Sequence, residues 1–365
     1  MLNAQNSVKI RGGGKRSSNI ELLRILMMLS IIAHHFVVNS GITELYDFSH
    51  VTPNMILIQL FGMWGKTGIN VFTLITGYFM IQKDVTWKKI LRMYLEIKFY
   101  VFLFYILFAL TGYEAFTMRQ LAKTTLSVAV ELGKQYYGGC VIVLYFLIPF
   151  LNIWARSLSK TQYQKLLALG LVYFTGISTF LTVNVFYLTG WLALCYLIGG
   201  YIRMHPMKWD NVRFGFAAML LSISVSVLSI IAISRFGSKL GFTSYYYFVA
   251  DCQKLLAVIM SVSIFIFWKN LPLPYIKRVN AIASTTLGVL YIHANSDTMR
   301  RFLWKDLFDN MGHYHSPLLL PYACGVVIIV YIVCVILDLL RMKLIEKPLF
   351  AFLDRFQWIH KKLGK

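Results

Sequence analysis

The chain has 365 residues, 58% of them apolar and only 14% charged, with a mean hydropathy of +0.63. Soluble domains carry about 25% charged residues; this chain has no polar shell to offer water, and its recurring apolar stretches make it a polytopic membrane protein. The 36 Lys+Arg against 15 Asp+Glu, a net of +21, would suggest nucleic acid in a soluble protein, but here the placement of the charges around the spans is what counts.

Residues 1–19 are polar and Gly-rich, with Lys9, Arg11, Lys15 and Arg16, and read as a disordered basic tail in the cytosol. The apolar run over 20–40 is longer than a signal-peptide core, carries His34 and His35 and lacks a small-x-small cleavage site, so it is expected to stay as a helix. Further spans are expected at 55–80, 90–112, 137–155, 166–184, 186–203, 214–235, 248–268, 280–298 and 317–341. The fold class is therefore an all-α integral membrane bundle of about ten transmembrane helices over 20–341, followed by a basic cytosolic tail at 342–365. The ninth span is short and polar (Ser284, Thr285, Thr286, His293, Asn295), as expected of a helix facing protein or a water-filled cavity. The five cysteines are scattered, without a C-x-x-C pair, and form neither a disulfide framework nor a zinc site; no metal is expected.

An even number of spans puts both termini on one side, and the basic residues choose it. Of the 36 Lys+Arg, 24 fall in the two tails and the segments on their side, 8 in the opposite loops and 4 within spans. This bias places both termini in the cytosol. No soluble segment is long enough to house an activity, so any chemistry belongs inside the bundle.

An ionisable side chain at mid-membrane costs about 2.5–3.5 kcal/mol on insertion scales and defaults to a functional role. The first helix holds the densest set: Glu21, Arg24, His34 and His35. Eleven residues separate Arg24 from His35, so the two lie within about 20° of one face and roughly 16 Å apart along the axis, while Glu21 is within about 60° of that face and His34 is turned some 80° away. Arginine suits a phosphate and histidine takes a proton near neutral pH. The plainer reading is that Arg24 snorkels to lipid and the histidines bond neighbouring helices.

In the second span, Gly65-Lys66-Thr67 looks like part of a Walker A loop, but Gly62 and Gly65 are separated by two residues rather than four. A small-residue face for close helix approach is the better reading, with Lys66 and Asn70 near the outer leaflet. Lys89 and Arg92 are adjacent on the cytosolic start of the third span, where ordinary membrane anchoring competes with a specific anion contact. His293 is a further deep imidazole, equally suited to an interhelical hydrogen bond.

Together these residues resemble a known family. Arg24-x10-His35, following Asn19-Ile-Glu21-Leu-Leu, is similar to the first-helix motif of the membrane acyltransferase-3 family. The stretch Trp64-Gly-Lys-x-Gly68-Ile-Asn-Val-Phe72, continuing to Thr76-Gly77-Tyr78, resembles that family's G-V-x-x-F-F-x-x-S-G-Y, with Thr76 in place of serine. Lys89-x-x-Arg92 resembles its R-x-x-R, keeping the charge of the first arginine but losing its planar fork. Tyr145 to Asn152, Tyr196 to Tyr201 and Tyr291-Ile-His293 are also similar, and the likeness runs over about residues 17–345.

The resemblance implies O-acylation, usually O-acetylation, of bacterial surface carbohydrates with cytosolic acetyl-CoA as donor, and hence a plasma-membrane location with acyl-CoA and a glycan acceptor as partners. On this reading Arg24, Lys89 and Arg92 take the CoA phosphates. His35 acts as general base on a hydroxyl or carries the acyl group itself. Glu21 pairs with Arg24, His34 or His293 orients or protonates the site, and Lys66 or Asn70 stabilises the oxyanion. The rival from another class is a transporter or flippase of a lipid-linked sugar, which predicts substrate movement without thiol release.

Overall fold

A computed structural model describes residues 17–134, 136–181, 183, 187–242 and 244–355; residues 1–16 of the expected N-terminal tail and 356–365 of the C-terminal one lie outside them. The described residues are helical, with no strand among them. In chain order the helices are α1 Ser18–Val38, α2 Pro53–Gly62, α3 Gly65–Met80, α4 Trp87–Leu110, α5 Met118–Thr125, α6 Ser127–Gly133, α7 Tyr137–Ser157, α8 Lys160–Leu171 and α9 Ile177–Phe180. They continue with α10 Leu188–Met204, α11 Val212–Phe236, α12 Leu255–Asn270, α13 Lys277–Ala283, α14 Thr286–His293, α15 Asp297–Arg301, α16 Leu319–Arg341 and α17 Lys347–Asp354.

Five helical stretches are long and apolar enough to cross a membrane alone: Ser18–Val38, Trp87–Leu110, Tyr137–Ser157, Val212–Leu240 and Leu319–Asp354. The last runs on from α16 through a π-helical turn into α17, so helix extends past residue 341, where the sequence suggested a tail. Helices α10 and α12 are apolar but shorter.

Two of the expected spans are broken, and each break has a chemical reason. The second divides at Met63 and Trp64, between the end of α2 at Gly62 and the start of α3 at Gly65. Carbonyls at a helix end lack intrahelical partners, and that of Gly62 is taken up by the His34 ring. The ninth divides at Ser284 and Thr285. There the hydroxyls of Ser284, Thr285 and Thr286 donate to the carbonyls of Ala281, Ile282 and Ala283, which satisfies the broken ladder.

The small-residue face expected on the second span is built as such. A Cβ on Gly77 would lie 2.0 Å from the Tyr196 carbonyl oxygen, and one on Gly199 2.2 Å from that of Leu74. Helices α3 and α10 thus meet backbone to backbone, as glycine allows. Helix α1 is the hub, packing against α2, α3, α12, α13, α14 and α16. Two apolar clusters flank it. One gathers Trp191, Tyr196 and Phe265 around α3, α10 and α12, and the other gathers Phe36, Tyr100 and Trp304 around α1, α4, α14 and α16.

Candidate active site

Where α1 faces α3, α7 and α14, a cavity of about 470 Å³ opens inside the bundle, and Arg24, His34 and His35 all line it. His34 reaches it although it points well away from the Arg24–His35 line on a helical wheel. Gly65 makes room: a Cβ there would stand 2.3 Å from the His34 ring. The ring nitrogen Nδ1 of His34 lies 2.7 Å from the Gly62 oxygen, and a carbonyl only accepts, so Nδ1 carries the proton.

The same reasoning sets the tautomer of the deeper pair. His293 is fully buried, and its Nδ1 lies 2.6 Å from the Val289 carbonyl oxygen. Nδ1–H therefore donates to that carbonyl, and Nε2 is the lone-pair nitrogen of the neutral ring. His35 Nδ1 is 3.0 Å from His293 Nε2, so His35 is the donor in that contact. Its own Nε2 is left with a lone pair. The chain Val289 carbonyl, His293, His35 thus fixes which nitrogen of His35 carries the free lone pair.

The cavity changes character along its length. Near Arg24 it is walled by Met28, Phe72, Met93 and Leu287; at the other end stand Asn39, Tyr136, Asp251, Asn295 and Arg300. Among the described residues Arg24 makes no hydrogen bond or ion pair, and its Nε is buried without a partner. The residue itself is half-buried, and a buried donor left without a partner is costly.

The remaining expected residues divide. Lys66 lines the cavity. Asn70 does not: its Nδ2 donates to the Cys252 carbonyl at 2.7 Å, and its Oδ1 accepts from Trp191 Nε1 at 2.8 Å. Its amide is consumed in joining α3 to α10 and to the segment before α12. Glu21 is buried on α1 outside the cavity. Arg24 lines the cavity and Glu21 does not, and no ion pair between the two is seen among the described residues. Lys89 stands outside, 5.2 Å from the centre of the cavity-lining Tyr145 ring, with Nζ 3.3 Å from Met80 Sδ. Arg92 pairs with Glu346 at 3.1 Å and lies over the Phe350 ring at 5.0 Å, so it serves the C-terminal helix.

Sequence reading missed three charged residues of the cavity wall, Asp251, Glu131 and Arg300. Glu131 on α6 accepts from the Gly139 N–H at 2.8 Å and from the Tyr291 hydroxyl at 3.0 Å. Arg300 on α15 donates from Nη1 to Asp297 at 2.6 Å and from Nη2 to the Ala294 carbonyl at 3.2 Å. Both sit in charged interhelical stretches that look like solvated loops. The only sequence signal was the polar character of the ninth span that leads into Arg300.

A family model described as an acyltransferase domain, acyltransferase-3, matches residues 17–339. The chain belongs to that family, and the multi-pass membrane acyltransferase character expected from the motifs follows. No curated protein and no solved structure matches the chain.

Proposed function

We propose that this acyltransferase-3 chain is a membrane O-acyltransferase that moves an acetyl group from cytosolic acetyl-CoA to a hydroxyl of a cell-surface or lipid-linked glycan. It sits in a bacterial plasma membrane with ten crossings and both termini in the cytosol. The observation that carries the chemistry is the His35 imidazole, oriented by His293 through Nδ1 with Nε2 left as base, inside a cavity it shares with an unpaired Arg24.

The donor enters from the Arg24 end. A guanidinium with unused donors suits a phosphate or pyrophosphate oxygen, and Lys89, outside Tyr145, adds positive charge nearby. The roughly 16 Å rise from Arg24 to His35 is matched by an extended pantetheine arm, and the Met28, Phe72, Met93 and Leu287 walls suit its apolar length and the acyl group. The glycan hydroxyl approaches from the opposite end, where Asn39, Asp251 and Asn295 offer the mixed donors and acceptors that a polyhydroxylated acceptor needs.

His35 Nε2 takes the hydroxyl proton as the oxygen attacks the thioester carbonyl carbon. Collapse of the tetrahedral intermediate breaks the C–S bond, and His35 returns the proton to the departing thiolate. His34 holds the wall beside Gly65; Glu21 and Asn70 take no part in the chemistry.

The test is His35→Ala, with thiol release from acetyl-CoA and glycan acetylation measured at matched membrane levels. Both should fall to background, and undiminished acetylation would sink the assignment. Arg24→Ala should act mainly on the apparent affinity for acetyl-CoA.

A further inference from the structure

Arg300 is the one cation of the cavity wall that no sequence motif or span points to. Its guanidinium is bolted in place: Nη2 donates to the carbonyl of Ala294, the residue after His293, and the ring of Tyr136 lies 5.7 Å from its centre. Two of its five donors are used in hydrogen bonds, and Nε is buried without a partner. Asp297, its ion-pair partner, is 78% exposed, so water screens that pair while the cavity side of the charge stays in a drier setting. The guanidinium shares the cavity with His35 and is tied to the residue that follows His293.

Acyl transfer places negative charge on the thioester carbonyl oxygen, and a fixed cation or donor beside that oxygen is commonly the largest catalytic contribution. Asn70, one sequence candidate for this task, has spent its amide elsewhere. Lys66 lines the cavity but makes no hydrogen bond or ion pair among the described residues, so nothing holds its ammonium in one position. Of the other charged cavity residues, Glu131 and Asp251 carry the wrong sign and Arg24 stands about 16 Å below His35.

We propose that Arg300 is a catalytic residue whose guanidinium stabilises the oxyanion formed when the acceptor oxygen attacks the thioester. This rests on the acyl-transfer reading above. As the new C–O bond forms, the carbonyl π pair moves onto oxygen and faces Arg300, while the hydroxyl proton goes to His35 Nε2. When the carbonyl re-forms, the C–S bond breaks and the thiolate takes the proton back from His35. A purely structural role, with Arg300 capping the carbonyl end of α14, predicts a different pattern.

The experiment uses the full chain in detergent or nanodiscs, with thiol release from acetyl-CoA as readout. Arg300→Ala should lower kcat by about 10²- to 10³-fold while KM for acetyl-CoA stays near the wild-type value. Added guanidinium should restore part of the lost kcat in that variant, whereas urea should not, and neither should rescue His35→Ala. If Arg300→Ala does not fold, Arg300→Gln, which keeps a polar side chain without the charge, carries the same rescue test. A kcat near wild type, or a loss that guanidinium leaves untouched in a folded variant, overturns the proposal. Failure of the underlying reading looks different: the wild type releases no thiol, or His35→Ala releases it normally.

Discussion

The His35–His293 contact offers the sharpest quantitative test. His293 is fully buried and its Nε2 accepts from His35 Nδ1–H at 3.0 Å. In His293→Phe the ring volume is roughly kept and the acceptor is lost. His35 is then left with an unsatisfied N–H in a dry site, or it moves its proton to Nε2 and ceases to be a base on the cavity side. Loss of one partner of a buried hydrogen bond costs about 1–3 kcal/mol, which corresponds to about a 5- to 150-fold loss in rate. The loss belongs in kcat. Arg24 lies about 16 Å away along α1, so KM for acetyl-CoA should change little. His293→Gln places a side-chain carbonyl near the position of the lost nitrogen and should recover a large part of the rate. The assay is thiol release by purified protein across a range of acetyl-CoA concentrations. Wild-type kcat in His293→Phe, or His293→Gln no better than His293→Phe, would refute the claim that His293 sets the tautomer.

Two further predictions concern the cavity walls. A Cβ on Gly138 would meet the Tyr291 hydroxyl at 1.4 Å and Glu131 Oε2 at 2.5 Å, whereas one on Gly133 meets nothing within 4 Å. Gly138→Ala should therefore part Glu131 from Tyr291 and cost about 1–3 kcal/mol, read as a lower thermal midpoint and lower activity, with Gly133→Ala as the quiet control; equal behaviour of the two would contradict the packing. Cys252 lines the cavity, so a maleimide should inactivate slowly, acetyl-CoA should protect, and Cys252→Ser should be active and resistant. Persisting maleimide sensitivity in Cys252→Ser would place the reactive thiol elsewhere.

What the sequence disclosed and what it hid follow from the range of each signal. Arg24 and His35 were legible because a helix repeats on its own axis, so two positions eleven residues apart share a face whatever the rest of the chain does. The glycines of α3 were legible for a similar local reason. The breaks after Gly62 and Ala283 were hidden, because the groups that stabilise them (the His34 ring and three hydroxyls) act through side-chain geometry. The partners of Asn70 were hidden because a polar residue in a span announces a need for partners without naming them. Its partners are the Trp191 indole and the Cys252 backbone, 121 and 182 positions away. Arg300 was missed in the reverse sense: its neighbours Asp297, Arg301 and Lys305 look solvated, and only the turn after Ala294 brings its fork to the cavity.

The basic residues of α1, α4 and α16 show how tertiary structure sorts residues that are alike in sequence. Arg341 is buried among three carboxylates, 3.2 Å from Glu96, 2.7 Å from Asp338 and 2.8 Å from Glu346. The Tyr100 hydroxyl donates to Asp338 at 2.7 Å. One guanidinium does not balance three carboxylates, and Glu346 draws in Arg92 as well, while Lys88 pairs with Asp354. These contacts fasten α17 to the start of α4 and commit Arg92 and Lys88 to holding helices together. The same cluster seats the helix that carries His293: a Cβ on Gly288 of α14 would stand 2.1 Å from Asp338 Oδ1, so α14 rests directly on that carboxylate. These positive residues therefore separate by what their neighbours demand. Arg92, Lys88 and Arg341 answer carboxylates of the chain itself, and Arg24, with a buried Nε that nothing in the described structure satisfies, lines the cavity with no carboxylate partner among the described residues.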